Sequence, residues 1–304
     1  MSEEMRGEEW RKAIPEGRDR VQSRWLAGVV GAALVFLSFD ALRLAVSVGG
    51  QAGHFALGAL AVSGAFAVAV LALRGATAGG AACGGMICLL LTFWVGMGSI
   101  VRSGLTPLAL LFVLTFVATL AGRRRKTKMG LAEGRKGRSA AQVIANLSVA
   151  GLSVSPLAGW AALGCGGALG ISTGWVMKTM CLAALVEATA DTVSSEVGQA
   201  FGGQPLMITS LRRVAPGTDG AVTALGSCAG VAGGAVVAIA GGWAMHLGVR
   251  GAAVALGAGV CGLFFDSLVG ATLERRGWVG NDLVNFASTV FAAGLAGLVA
   301  DALK

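Results

Sequence analysis

The chain has no tyrosine, two histidines and five prolines in 304 residues, and only 13% of it is charged. Soluble domains carry about 25% charge, so this inventory cannot build a water-facing surface of ordinary composition. No CxxC pair exists, and His54 and His246 stand apart from the cysteines. Zinc and thiol-redox chemistry are thereby excluded. Cys83, Cys88, Cys165, Cys181, Cys228 and Cys261 all lie in apolar stretches and read as buried, reduced thiols acting as small apolar residues. No signal-peptide cleavage pattern precedes the first apolar run, so that run reads as a retained span. What the chain does have is 55% hydrophobic residues and 49 glycines. Glycine in apolar helices lets membrane helices pack with their backbones close together. The composition is that of an all-α, polytopic transmembrane bundle, expected in the inner cell membrane.

A span needs about 20 apolar residues. The apolar runs are 25–48, 53–73, 79–101, 104–121, 140–157, 159–190, 222–247, 251–272 and 283–303, which predicts nine spans behind a cytoplasmic segment at 1–24. The run 159–190 contains Lys178 and reads either as one long tilted helix or as two short ones. Net charge is +8, and Arg123–Arg138 contributes eight basic residues against Glu133. Without interleaved aromatics or a recognition helix, this run marks a cytoplasmic loop (122–139) rather than a nucleic-acid partner. With 159–190 as one span, nearly all basic flanks fall on the cytoplasmic side and only Arg102 and Arg250 fall outside. The segments 122–139, 191–220 and 273–282 then share one face, so the polar chemistry collects there.

Three constellations stand out. Glu187, Asp191 and Ser194/Ser195 recur at helical spacing near the end of an apolar run, with Thr192 and Glu196 beside them. Acids at membrane depth usually mark a pathway or a site, and hard oxygen ligands of this kind suit Mg²⁺. A solvated helix end is the plainer alternative. Arg212, Arg213, Gly217, Thr218, Asp219 and Gly220 form a basic, glycine-rich turn before a helix rich in glycine. Such a turn can cradle a phosphate, or can simply connect two helices. Asp266 and Ser267 lie within an apolar run and are followed by Asn281, Asp282 and Asn285. An isolated intramembrane Asp266 is costly unless it is paired or metal-bound, whereas Asp282 could be a helix cap. Asp40 and Arg43 can neutralise each other. Trp25, Trp160, Trp243 and Trp278 look like interfacial anchors, and Gly226, Gly230 and Gly234 look like a packing seam.

Three blocks together resemble a known family. They are Thr127-Lys128 with Arg138, Gln142, Val143 and Asn146; EATADTVSSEVG through LRRVAPGTDGAVTALGSCAG; and FFDSLVGATLE with GNDLVNF. This is similar to the integral-membrane family known as domain of unknown function ninety-two, which includes plant phytyl-phosphate kinases. The resemblance covers about residues 70–303, with Leu147 standing where the family usually has Gly. A looser likeness in layout links Asp191-Thr192, Gly198, Gly202, Arg213, Gly217 and Asp266-Ser267 to membrane cytidylyltransferases and dolichol kinases that use CTP.

These resemblances imply a kinase that turns an isoprenyl monophosphate, of phytyl or geranylgeranyl type, into the diphosphate. Mg²⁺ and a nucleotide triphosphate, CTP first, are the expected cofactor and co-substrate; membrane lipid, the isoprenyl phosphate and the nucleotide are the expected partners. Asp191, Glu196 and Asp266 are expected to hold the metal, and Lys128, Arg138, Arg212 and Arg213 to bind phosphates. Gly217, Thr218 and Gly220 would cradle one of those phosphates. Glu187, Thr192, Ser194, Asp219, Ser267, Asn281, Asp282 and Asn285 complete the expected site. A lipid-phosphate cytidylyltransferase and an ion-coupled transporter are the rival readings.

Overall fold

The computed structural model describes residues 14–48, 50–96, 98–131, 137–156 and 174–303. Arg135 and Lys136 of the basic loop, Trp160, Cys165 and the first part of the expected 159–190 span lie outside the described residues.

The described chain is almost entirely helical: α1 (Glu16–Val48), α2 (Gly50–Ala72), α3 (Ala78–Val95), α4 (Leu105–Leu120), α5 (Arg123–Lys128), α6 (Ala140–Ser153), α7 (Gly174–Phe201), α8 (Ala224–Ala244), α9 (Gly248–Val269) and α10 (Asn281–Ala302). A backbone in lipid must satisfy its own N–H and C=O groups, which makes each apolar run a helix. Six of them, α1, α2, α3, α8, α9 and α10, are long and apolar enough to cross a membrane. Helices α4 and α6 are apolar but shorter. Helix α7 is long, but Lys178, Glu187, Asp191 and Glu196 interrupt its apolar character. Helix α1 begins at Glu16, ahead of the apolar run, with Glu16 and Asp19 placed favourably in its first turn.

Apart from the short α5, successive helices alternate in direction, and contacts across the bundle fix which ends meet. At one end the backbone at Arg138 bridges to Ala76, Arg18 Nη1 donates to Gly277 O (2.8 Å), and Gln22 Nε2 donates to Trp278 O (2.8 Å). At the other end Arg102 Nη1 donates to Trp243 O (3.2 Å) and Trp175 Nε1 to Leu247 O (3.3 Å). Helix α7 therefore traverses once, which brings the 123–138 and 191–220 segments to the same end.

Helix α7 is the central post. Every residue from Cys181 to Ala190 is buried, and α4, α6, α8, α9 and α10 pack around it. The α7–α8 seam is built on glycine: a Cβ on Gly226 would strike the Ser194 carbonyl, one on Gly230 the Ala190 carbonyl, and one on Gly234 would press on Val186. This is backbone-to-backbone packing of the small-residue type. The outer faces are apolar and exposed, as at Phe39 (66%), Val68 (67%) and Ile239 (70%), as a lipid-facing surface requires. Trp25, Trp243 and Trp278 are exposed as well, and Arg43 Nη2 meets Asp40 Oδ1 at 3.2 Å.

Two expectations need correction. Cys83, Cys88 and Cys181 are buried, but Cys228 and Cys261 are exposed on the outer faces of α8 and α9. Asp282 does not cap α10. Gly280 holds that position, and Asp282, one residue into the first turn, accepts from Ser23 Oγ (2.7 Å) and ties α1 to α10.

Candidate functional site

At the end of the bundle where these loops meet lies a polar cleft of about 290 Å³. Its walls come from four places: the start of α6, the second half of α7, the 205–223 loop, and the α9–α10 junction.

The α6 wall is fixed by backbone. Arg138 N donates to Gly75 O (3.0 Å), and Thr77 N donates to Arg138 O (3.0 Å). Gly137 has φ +73°, and a Cβ there would collide with the Arg74 carbonyl and Ala76, so glycine is required at this crossing. Ser139 then starts α6 with a capping box: its hydroxyl accepts from Gln142 N, and Gln142 Oε1 accepts from Ser139 N (2.8 Å). The Arg138 side chain is thereby aimed at α7, with Nη2 3.4 Å from Thr192 Oγ1 and its charge facing Asp191.

The α7 wall presents Asp191, Thr192, Ser194, Ser195 and Glu196 to the cleft. Glu187 lies one turn deeper, buried in the core at 2% exposure rather than lining the cleft. The carboxylate of Glu196 is already engaged: Lys126 Nζ pairs with it and Thr119 Oγ1 donates to it (3.0 Å).

The loop wall starts and ends in a two-stranded antiparallel pairing, β1 (Leu206–Met207) with β2 (Ala221–Val222). Gly217 (φ +83°) and Gly220 (φ +72°) turn the chain, and Cβ atoms on them would strike Leu131 and the backbone of Ala271 respectively. Asp219, held between these two anchors, faces the cleft; burial pushes its carboxyl up to about 6, with Arg275 pulling the other way.

The last wall joins Asp266 and Ser267 of α9 to Asn281 and Asn285 of α10. Between them a π-helical turn, Gly270–Glu274, replaces the last turn of α9 and swings Glu274 into the cleft. Asp266 Oδ2 is buried without a hydrogen-bond partner. Asp191, Asp266 and Glu187 lie within Coulombic reach of one another, and Asp266 is also within reach of Glu274 and Asp219. Among the described residues, no group of three or more His, Cys, Asp and Glu side chains forms a metal cage.

Of the residues expected from sequence, Asp191, Thr192, Ser194, Glu196, Arg138, Gly217, Thr218, Asp219, Gly220, Asp266, Ser267, Asn281 and Asn285 come together around this cleft. Lys128, Arg212 and Arg213 are exposed and do not line it, and Asp282 lies outside it. Sequence reasoning missed Lys126, Glu274, Gln142 and Asn146 as site residues. For Gln142, Asn146 and Glu274 a signal was present, since all three belong to the blocks that carry the family resemblance.

Three helix N-termini open at this cleft: α6 beside Arg138, α8 at Thr223 and α10 at Asn281. Their positive dipole ends favour anions. Carboxylates, the guanidinium of Arg138 and helix N-termini gathered at one end of an apolar bundle define a multi-pass integral membrane protein with a polar cleft of mixed charge.

Residues 61–293 match the family described as integral membrane protein DUF92, and the chain belongs to that family. It is 36% identical over 109 residues to an uncharacterized membrane protein of Methanocaldococcus jannaschii, covering 36% of this chain and 45% of that protein. It is 31% identical over 212 residues to an uncharacterized membrane protein of a Synechocystis strain, covering 67% of this chain and 75% of that protein. It is also 29% identical over 195 residues to the chloroplastic protein VTE6 of Arabidopsis thaliana, covering 63% of this chain and 56% of that one. The matched stretch thus spans less than half of the archaeal protein and just over half of the plant one. No solved structure matches the chain.

Proposed function

We propose that the protein is a membrane kinase that phosphorylates an isoprenyl monophosphate to the diphosphate, at the cytoplasmic face, with a nucleotide triphosphate, CTP first, as donor. The observation that carries this reading is the pairing of Asp191 and Asp266 across one cleft with Arg138 and three helix N-termini. The resemblance to a family that includes plant phytyl-phosphate kinases supports the choice of lipid class.

The residues fit a hard divalent cation. Asp266 Oδ2 is a buried oxygen lacking a partner, and Asp191 lines the same cleft within its Coulombic reach. Magnesium takes one or two carboxylates and completes its shell with water and substrate phosphates, which agrees with a pair of acids rather than a full protein cage. When bound, it neutralises charge on the transferring phosphate.

The chain's own groups supply the rest. Arg138 orients the acceptor phosphate, and the N-termini of α8 and α10 hold donor phosphates by their N–H groups. An oxygen of the acceptor monophosphate bonds to the donor's terminal phosphorus, and the bond from that phosphorus to the bridging oxygen breaks, releasing the nucleoside diphosphate. The acceptor oxygen is already anionic, so no general base is required. The 205–223 loop walls one side of the cleft. Among the described residues the cleft carboxylates Asp191, Asp219, Asp266 and Glu274 gather towards one end of the bundle, unlike the midplane site between broken helices of an ion-coupled transporter.

The test is incubation of the purified protein with isoprenyl monophosphates, Mg²⁺ and each nucleotide, followed by mass spectrometry of the lipids. The expected product is the isoprenyl diphosphate. A cytidine-bearing lipid with released pyrophosphate would replace this reading with a cytidylyltransferase. No nucleotide-dependent lipid product, with solute flux in proteoliposomes, would replace it with a transporter.

A further inference from the structure

A second cavity, of about 560 Å³, lies beside the polar cleft among α2, α3, α4 and α6. Its upper walls are hydrocarbon and aromatic. Phe66 of α2 meets Phe112 of α4 edge to face (5.8 Å between centroids), Phe112 stacks on Phe116, and Val70, Leu111 and Val143 fill in around them. Its other end is cationic, with Arg74, Arg123, Lys126 and Arg138. Lys126 is occupied by Glu196, and among the described residues the guanidinium groups of Arg74, Arg123 and Arg138 remain there. Arg138 lines both cavities, so the apolar chamber and the polar cleft share that residue as a common wall.

This is the shape of a site for one amphiphile: apolar along its length, basic at one end, and opening beside a carboxylate-bearing cleft. The volume matches one drug-sized ligand, which leaves room for one hydrocarbon chain rather than two. Guanidinium groups favour phosphate through paired, charge-assisted hydrogen bonds. We infer that this cavity seats the isoprenyl chain of the acceptor, with its monophosphate at Arg138 so that the attacking oxygen faces the polar cleft. This placement rests on the prenyl-phosphate kinase reading for the nature of the head group, but makes its own claim about where the chain lies. Gly84 and Leu147 then set chain length, because both line the cavity. A Cβ on Gly84 would sit 3.9 Å from Phe66 and Val143, so a larger side chain can begin there without a clash and must grow into the empty space.

The experiment uses the full chain in nanodiscs with an isoprenyl monophosphate that carries a diazirine at the hydrocarbon end. Photolysis followed by peptide mapping should place the label on Phe66, Leu111, Phe112 or Val143. Gly84→Leu should reduce labelling by about tenfold or more and shift preference to shorter chains, with nucleotide binding unchanged. Leu147→Ala should shift preference to longer chains. Label concentrated on the outer faces of α8–α10, or displaced by excess phosphatidylglycerol, would overturn the placement. Mapping on the unaltered protein decides the matter even if Gly84→Leu does not fold. Labelling in the cavity with no phosphoryl transfer would leave the placement standing and sink the kinase reading; transfer with no label in the cavity would do the reverse.

Discussion

Lys126 and Glu196 form an ion pair closed to solvent, with 1% and 7% of each residue exposed, and it ties the short basic helix α5 to the end of α7. Lys126 Nζ also donates to Thr119 O (2.9 Å), and Thr119 Oγ1 donates to the same carboxylate, so the two charges sit in a nearly complete shell of partners. The pair organises the junction between the polar cleft and the apolar cavity, since Glu196 lines one and Lys126 the other.

Removing one member should therefore cost more than removing both. Lys126→Met strands a buried carboxylate and is expected to destabilise by about 3–5 kcal/mol, while Lys126→Met with Glu196→Leu should recover much of that loss. Thermal unfolding in detergent checks the ordering. Equal stability of the single variant and the unaltered protein would show that the pair is not closed to water.

Asp191 and Asp266, which line one cleft within Coulombic reach of each other, should act on rate. Asp191→Asn and Asp266→Asn keep shape but lose charge, so each is expected to lower turnover by about a hundredfold or more with the fold retained. Size-exclusion profiles and lipid-product assays on the same preparations separate the two effects.

Arginines inside and outside the cleft should behave differently. Arg138→Ala is expected to weaken binding of a phosphate-bearing ligand by about 1.5–3 kcal/mol, the scale of a charged hydrogen bond. Arg213, exposed on the loop, should change binding by less than about 0.5 kcal/mol when replaced by Ala. Equal losses in calorimetric titrations would place Arg213 in the site after all.

Asp219 should leave a mark on pH dependence. Its carboxyl rises from 3.8 to about 6 in the folded chain because burial disfavours the charge. A folded-state value above the unfolded one gives stability that is full below about pH 4 and is lost as pH rises through about 6. Without ligand, the melting temperature should fall over that window, and less steeply in Asp219→Asn. A bound cation would reverse the sense, holding Asp219 charged and making binding weaken as pH drops below 6.

Much of this arrangement was legible beforehand. Uninterrupted apolar runs gave the helices, and the basic flanks gave a single traverse for α7, which brings the 123–138 and 191–220 segments to one end. Asp191 and Asp266 stood out because charge is costly among apolar residues. Lys126 was lost in a run of cations where Lys128 looked equivalent; only the left-handed Gly122 (φ +63°), packed on Ala200, turns α5 so that Lys126 points inward. Glu274 closes the FFDSLVGATLE block, yet nothing in local composition announces the π-helical turn that redirects it into the cleft. The thiols of Cys228 and Cys261 were assigned to the interior since hydrophobicity cannot separate a lipid-facing side from a protein-facing one.

The glycine seam between α7 and α8 has a mechanical consequence. Helices whose backbones touch through Gly226 and Gly230 cannot slide or part without losing contact along their whole length, so that flank is stiff. Where α2 and α4 meet, the contact is instead made by side chains, through the Phe66–Phe112 pair. A long hydrocarbon molecule arriving from within the bilayer would find its door there, and leave the carboxylate-bearing post undisturbed as it passed.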